Sequence, residues 1–353
     1  MKTKKLIAGL TILLALTTSV FAKAKKADKN NGKLKVVTTI FPEYDWAREI
    51  LGDKASNVEL TLLLGNGVDL HSYQPSIQDI AKISTADIFI YVGGESDGWV
   101  KDALKNAKNK NMKVINLLET LGDKVKAEEV KEGMQAEEEE EHEHHHHDGD
   151  HDHEDHDHHE AEEHHHHHHD DDEEVEYDEH VWLSLRNAKI LCTEICSALS
   201  EKDAANAAAY KANLAAYTAR LDALDSKYAA TVKAGSKNTI LFGDRFPFRY
   251  LVDDYNLDYY AAFVGCSAET EASFETVIFL AKKVDELGLN AVLKIESGDG
   301  KIARTIIQNT KKKSAKVLTL DSIQSTTAKQ AAAGTTYLKI MEANLAVLEE
   351  ALR

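Results

Sequence analysis

Sixteen of the chain's eighteen histidines fall between Glu137 and Glu174, at 142, 144–147, 151, 153, 156, 158, 159 and 164–169. The same window holds twenty Asp and Glu residues and no lysine or arginine, so without it the formal net charge of −18 becomes about +2. Neutral imidazole suits zinc, copper and nickel, and this stretch reads as a weak, many-fold collector of such cations. With almost no apolar residues it cannot offset its ordering entropy, and its composition predicts a disordered loop. A purely acidic tract would be only a solvating loop; histidine at this density favours metal capture. The six-histidine run His164 to His169 has the length of an expression tag, but it lies mid-chain among other His/Asp repeats.

Two histidines remain, His71 and His180. What they can do depends on the elements that carry them. Leu34 to Ile40 reads as a buried strand, and Pro42 to Leu51 as a helix with proline at its start and Gly52 at its end. Val58 to Leu64 reads as a strand leading into the loop that contains His71. Ser76 to Ile83 follows as a helix, Asp87 to Val92 as a strand, Asp97 to Lys108 as a helix, and Val114 to Leu118 as a strand. Beyond the histidine window, Ser184 to Leu199 reads as a helix. Asp203 to Ala234 carries one apolar face (Tyr210, Leu214, Tyr217, Leu221, Leu224 and Tyr228). Such a helix would run about 48 Å, a length that suits a strut between two lobes.

The alternation then repeats. Thr239 to Gly243, Asp258 to Val264, Ala291 to Ile295 and Lys316 to Leu320 read as strands. Phe246 to Tyr255, Ser273 to Leu287, Lys301 to Thr310 and Thr335 to Leu352 read as helices. Strands alternating with helices imply right-handed crossovers and parallel sheets. The expected fold class is α/β: two lobes, each a parallel sheet flanked by helices, joined by a long helix. The expected divisions are a first lobe over 33–201 containing a His/Asp/Glu-rich loop over 122–178, a linking helix over 203–235, and a second lobe over 236–353.

In open parallel sheets, ligands bind beyond the carboxyl ends of the strands. His71 lies after the strand ending at Leu64, and His180 just ahead of a helix. Asp244 follows the strand ending at Gly243, and Asp299 the one ending at Ile295. Singly, an isolated histidine is a structural residue and a loop aspartate caps a helix. Together, in a chain with a metal-attracting loop, His71, His180, Asp244 and Asp299 are the expected metal ligands. Asp69 is a candidate to orient His71 through its second nitrogen, or simply forms a turn.

The rest of the chain sets the context. Lys2, Lys4 and Lys5, an apolar run from Leu6 to Val20, and Val20-Phe21-Ala22 make residues 1–22 a secretory signal. The run is too short to span a bilayer. No cysteine follows it, so a soluble periplasmic protein without a lipid anchor is expected. Cys192 and Cys196 lie four apart on a helix, a poor geometry for a disulfide. Pairing of one of them with Cys266, three buried thiols, or a thiolate ligand at Cys266 all stay open. Nothing basic enough for a nucleic-acid surface is present. Neither an HExxH helix nor a nucleophile elbow appears, which argues against an enzyme.

Several segments resemble the zinc- and manganese-binding receptor proteins of ABC importers, the ZnuA/TroA-like family. Thr38-Thr-Ile-Phe-Pro-Glu-Tyr-Asp-Trp-Ala-Arg-Glu-Ile is similar to the family's first strand and helix. Val68-Asp-Leu-His71-Ser-Tyr-Gln-Pro75-Ser is similar to its first-ligand loop, and Tyr177-Asp-Glu-His180-Val-Trp-Leu-Ser to its second-ligand segment. Tyr337-Leu-Lys-Ile-Met341-Glu-Ala-Asn344 is similar to its closing helix, and the His-rich acidic insert to that of zinc-type members. The resemblance implies a monomeric receptor that holds one divalent ion between its lobes and hands it to a membrane permease. His71 and His180 carry over directly as ligands. Zinc-type members place a third histidine near the start of the second lobe; here that spacing falls on Arg245, with Asp244 the nearest carboxylate. Asp299 falls at the family's carboxylate position, with Glu296 as the fallback. The insert favours zinc; the missing third histidine leaves manganese, and outside the family a secreted zinc buffer or metallohydrolase, as alternatives.

Overall fold

A computed structural model describes residues 32–135, 176–267 and 271–353. The signal segment and the histidine window fall outside these ranges. The first sheet contains β1 (Leu34–Thr38), β2 (Val58–Leu62), β3 (Ile88–Tyr91) and β4 (Lys113–Asn116), parallel and ordered β2-β1-β3-β4. Its helices are α1 (Phe41–Leu51), α2 (Ile77–Ser84), α3 (Val100–Lys105) and α4 (Leu117–Leu121). Val36, Ile88, Phe89 and Ile90 are fully buried, as expected of strands covered on both faces.

Two helices in succession, α5 (Leu185–Lys202) and α6 (Ala207–Ala234), lead to the second sheet. This sheet comprises β5 (Thr239–Phe246), β6 (Asp258–Val264), β7 (Ala291–Lys294) and β8 (Lys316–Thr319), again parallel and ordered β6-β5-β7-β8. Its helices are α7 (Arg249–Tyr255), α8 (Phe274–Leu287), α9 (Lys301–Gln308), α10 (Ala328–Ala332) and α11 (Tyr337–Ala351). Both sheets thus share one strand order. α6 is shorter than the helical pattern suggested, because Asp203 accepts from Asn206 and Tyr210 and closes a turn ahead of it. It is no free strut: Tyr210, Tyr217, Leu221, Leu224 and Tyr228 are buried, and it packs on α1, α5 and α11.

The lobes are stitched together. Tyr337 at the start of α11 donates its hydroxyl to Trp182 O, and its backbone N–H donates to Asp45 on α1. Trp182 Nε1 donates to Ser322 O in the second lobe. The chain just ahead of the histidine window also crosses over: Gln135 N–H donates to Ala262 O on β6. Cys192 and Cys196 are buried on α5, and all three cysteines are free.

The start of α1 is held by Glu43, whose carboxyl accepts from the N–H groups of Thr39 and Ile40 at 2.8 and 3.3 Å. Burial, reinforced by the nearby Asp97, raises the Glu43 pKa from 4.5 to about 8. The folded chain therefore keeps this proton up to about pH 8, while the unfolded chain loses it near 4.5. The resulting stability is full below the lower value and is lost as pH rises through the upper one. Glu43→Gln should remove a decline of up to about 1.4 kcal/mol per pH unit over that window. Urea-unfolding midpoints across the window check this; an unchanged slope contradicts a neutral Glu43.

Candidate metal centre

His71 enters on a single helical turn, Leu70–Ser72, after β2, where Asp69 Oδ1 accepts from the His71 backbone N–H at 3.1 Å. Its ring Nδ1 lies 2.8 Å from Ser96 Oγ in the loop after β3. The Ser96 hydroxyl bonds in turn to Glu179, and the Ser96 N–H donates to Glu179 Oε1 at 2.9 Å. Glu179 Oε2, buried and without another hydrogen-bond partner, sits 3.5 Å from His71 Nδ1. His180 is fully buried, with Nδ1 3.0 Å from Asp178 Oδ1, which also accepts its backbone N–H at 2.8 Å. Each ring therefore has an oxygen behind Nδ1; with the ring proton on that side, Nε2 is left as a lone pair.

The two Nε2 atoms face one another at 3.1 Å. Aimed lone pairs repel, but a cation between them reverses the sign. Two zinc–nitrogen bonds of about 2.0–2.1 Å at a tetrahedral angle separate their nitrogens by about 3.3 Å. Burial first, then the His180 ring, depresses His71 to about 3, so its imidazole is neutral and available as a donor near pH 7.

The second lobe supplies Cys266, two residues beyond β6. One donor atom each from His71, His180 and Cys266 lie within 4.8 Å of one another, the one such group of three or more metal-ligating residues among those described. The Cys266 N–H donates to Glu128 Oε1 at 3.0 Å, and the Glu179 N–H donates to the sulfur. Burial, with Glu128, Asp178 and Glu179 nearby, pushes the thiol pKa up. Gly265 is required here: a Cβ would lie 2.9 Å from Phe246 O and 3.2 Å from His180 Nδ1. Gly94 likewise makes room for Glu179, whose Oε1 would lie 2.3 Å from a Cβ there.

The structure does not bring Asp244 and Asp299 into this group. β5 runs three residues past Gly243 with a bulge between Phe242 and Arg245, so Asp244 lies within the strand. Its oxygens accept the N–H groups of Arg245 at 2.9 Å and Ile295 at 3.2 Å. Asp299 Oδ1 accepts from Lys301 N at 2.6 Å at the start of α9. Both carboxylates line a neighbouring groove of about 520 Å³ with Asp69, Arg245 and Lys301. Glu296 is committed to Ser322 and Ser325. Asp69 supports the His71 backbone, while its other oxygen accepts Arg245 Nη2 at 2.6 Å across the lobes. Burial alone would raise Asp69; Arg245 and then His71 outweigh it and hold it low.

The sequence reading missed Ser96, Asp178 and Glu179 as the supports of the rings. For two of them the signal was local: Asp178 and Glu179 immediately precede His180. Cys266 was one open role among three, although the rule that directed attention beyond β5 and β7 applies equally beyond β6.

Two parallel α/β lobes, tied by a long helix and converging on imidazole and thiol donors, define a two-lobed metal-receptor class. The chain belongs to the family described as zinc-uptake complex component A, periplasmic (ZnuA), whose model matches residues 36–351. It is 32% identical over 347 residues to the zinc-binding lipoprotein AdcA of Streptococcus pneumoniae, covering 98% of this chain and 61% of that protein. It therefore spans about three-fifths of the length of such relatives. It is 28% identical to the high-affinity zinc uptake system protein ZnuA of Bacillus subtilis, over 98% and 96% of the two chains. Among solved structures, the Zn(II)-bound ZnuA-like domain of S. pneumoniae AdcA superposes with a TM-score of 0.64 at 26% identity. That match covers 91% of this chain and 99% of the domain.

Asp178→Asn and Glu179→Gln should each weaken zinc binding by about 10- to 100-fold by loosening a ring's orientation. Asp299→Asn should leave it unchanged. Competition titration against a zinc chelator reads all three, and equal effects would contradict the assignment of the ring supports.

Proposed function

We propose that this chain is the extracytoplasmic zinc receptor of an ABC-type importer, binding one ion between its lobes and delivering it to a membrane permease. The observation that carries this reading is the head-on approach of His71 Nε2 and His180 Nε2 at 3.1 Å, with the Cys266 sulfur within 4.8 Å of a ring nitrogen of each. The relatives named for zinc binding and zinc uptake support the choice of ion. The three side chains come from three loops at the carboxyl ends of parallel strands or just ahead of a helix, as expected of a cleft that opens and closes around cargo.

The amino-terminal signal pattern supports a site of action outside the cytoplasmic membrane, as a soluble periplasmic monomer. The histidine window gathers zinc loosely, while the cleft holds it tightly. The acids near the rings each support a donor or a backbone N–H, as suits a receptor.

His71→Ala/His180→Ala should abolish the tight site and leave the weaker, multiple binding of the window. Isothermal titration of the double variant reads both effects. Growth in zinc-depleted medium, with the variant as the cell's one copy, reads transport. Wild-type growth together with lost tight binding would sink the transport reading.

A further inference from the structure

We propose that Cys266 sets the metal selectivity of the cleft. Its thiolate serves as third ligand and restricts the cargo to thiophilic borderline and soft divalent ions, zinc and cadmium, while rejecting manganese and magnesium. This rests on the cleft reading above and adds to it the ligand that decides between ions. Two imidazoles alone do not discriminate strongly, because nitrogen donors accept most first-row divalent ions. The third donor therefore decides. A thiolate selects for zinc, whereas manganese and magnesium take carboxylate and water oxygens.

The oxygen donors that could have made the site hard are committed elsewhere. Asp244 holds Arg245 N and Ile295 N, Asp299 holds Lys301 N, and Glu296 holds Ser322 and Ser325. Glu128 holds the Cys266 N–H, and Asp178 and Glu179 stand on the Nδ1 side of the rings, away from the facing Nε2 atoms. The sulfur, by contrast, lies within 4.8 Å of one ring nitrogen of each histidine.

Arg245 explains how the exchange is accommodated. It cannot ligate. Instead, its guanidinium reaches Asp69 in the first lobe at 2.6 Å and Ser267 O, the residue after Cys266, at 3.2 Å. It thus pins the Cys266 loop of the second lobe against the His71 turn of the first. The thiol arrives from the next strand, β6, beside the position that Arg245 occupies on β5.

The test uses the full mature chain, stripped with a chelator and reloaded with zinc, cadmium, manganese or cobalt. Wild-type protein should hold zinc and cadmium and show no tight manganese binding. Its cobalt form should show a sulfur-to-cobalt charge-transfer band in the near ultraviolet, to which the window's histidines cannot contribute. Cys266→Ser should lose the band and weaken zinc by more than about 100-fold, beyond the loss expected of an outer support. It should also narrow the gap between cadmium and manganese. Cys266→His should restore much of the zinc affinity without the band or the cadmium preference, which separates lost ligation from lost folding. A wild-type cobalt form without the band, or a Cys266→Ser protein with the wild-type metal ranking, overturns the role of Cys266 and leaves the cleft in place. If His71→Ala also leaves tight zinc binding intact, the cleft reading itself fails.

Discussion

Two imidazole nitrogens confronting one another at 3.1 Å is the constraint on which the rest of this molecule depends. Left to rotate, two neutral rings would swing apart or share a proton. Neither is free to do so. His180 is held at Nδ1 and at its own backbone by one carboxylate, Asp178, and is packed against Trp182 with ring centroids 5.2 Å apart. His71 is held through the Ser96 hydroxyl, with Glu179 behind it. The protein spends hydrogen bonds on the outer nitrogens so that the inner ones stay aimed, which is the preorganisation a metal site needs.

That aim is supplied by topology before it is supplied by side chains. Each sheet has the same parallel order, with the second strand outside the first and the third and fourth on its other side. A parallel sheet sends successive loops to one edge, so the turn after β2 and the loop after β3 meet there and bring His71 to Ser96. The second sheet does the same for Cys266 after β6. Close approach then demands small residues: Gly94 lets the Glu179 carboxyl in, and Gly265 lets the His180 ring lie against the Cys266 turn. The segment over 125–135 and α11 tie the lobes by hydrogen bonds, so the two edges face one another without relying on the site itself.

Much of this was legible in the chain. Buried strands such as Ile88–Tyr91 are unbroken apolar runs, and helices such as Phe41–Leu51 carry their own start and stop signals, so the α/β alternation could be read directly. His71 and His180 stood out because histidine is scarce outside the acidic window. The carboxylates did not stand out correctly, for a definite reason. Asp244 was placed in a loop by ending its strand at Gly243, but β5 carries a bulge and continues through it to Phe246. A bulge is a two-against-one mismatch between strands and leaves little trace in a single sequence. Asp299 sits before α9 and behaves as aspartates there commonly do, accepting a helix-start N–H.

The exchange of donors in the second lobe follows from charge as much as from space. Glu128, Asp178 and Glu179 surround the Cys266 sulfur, and burial raises the first and last of these carboxyls above their ordinary range. An additional carboxylate ligand would crowd a fourth anion into the same buried volume, where like charges repel strongly. A thiol is neutral until a cation displaces its proton, so it adds negative charge only when positive charge arrives. Arg245, meanwhile, spends its charge on Asp69 rather than on the metal. The cleft thereby keeps its acids as supports for rings and backbone, and brings the anionic ligand into being together with the ion it binds.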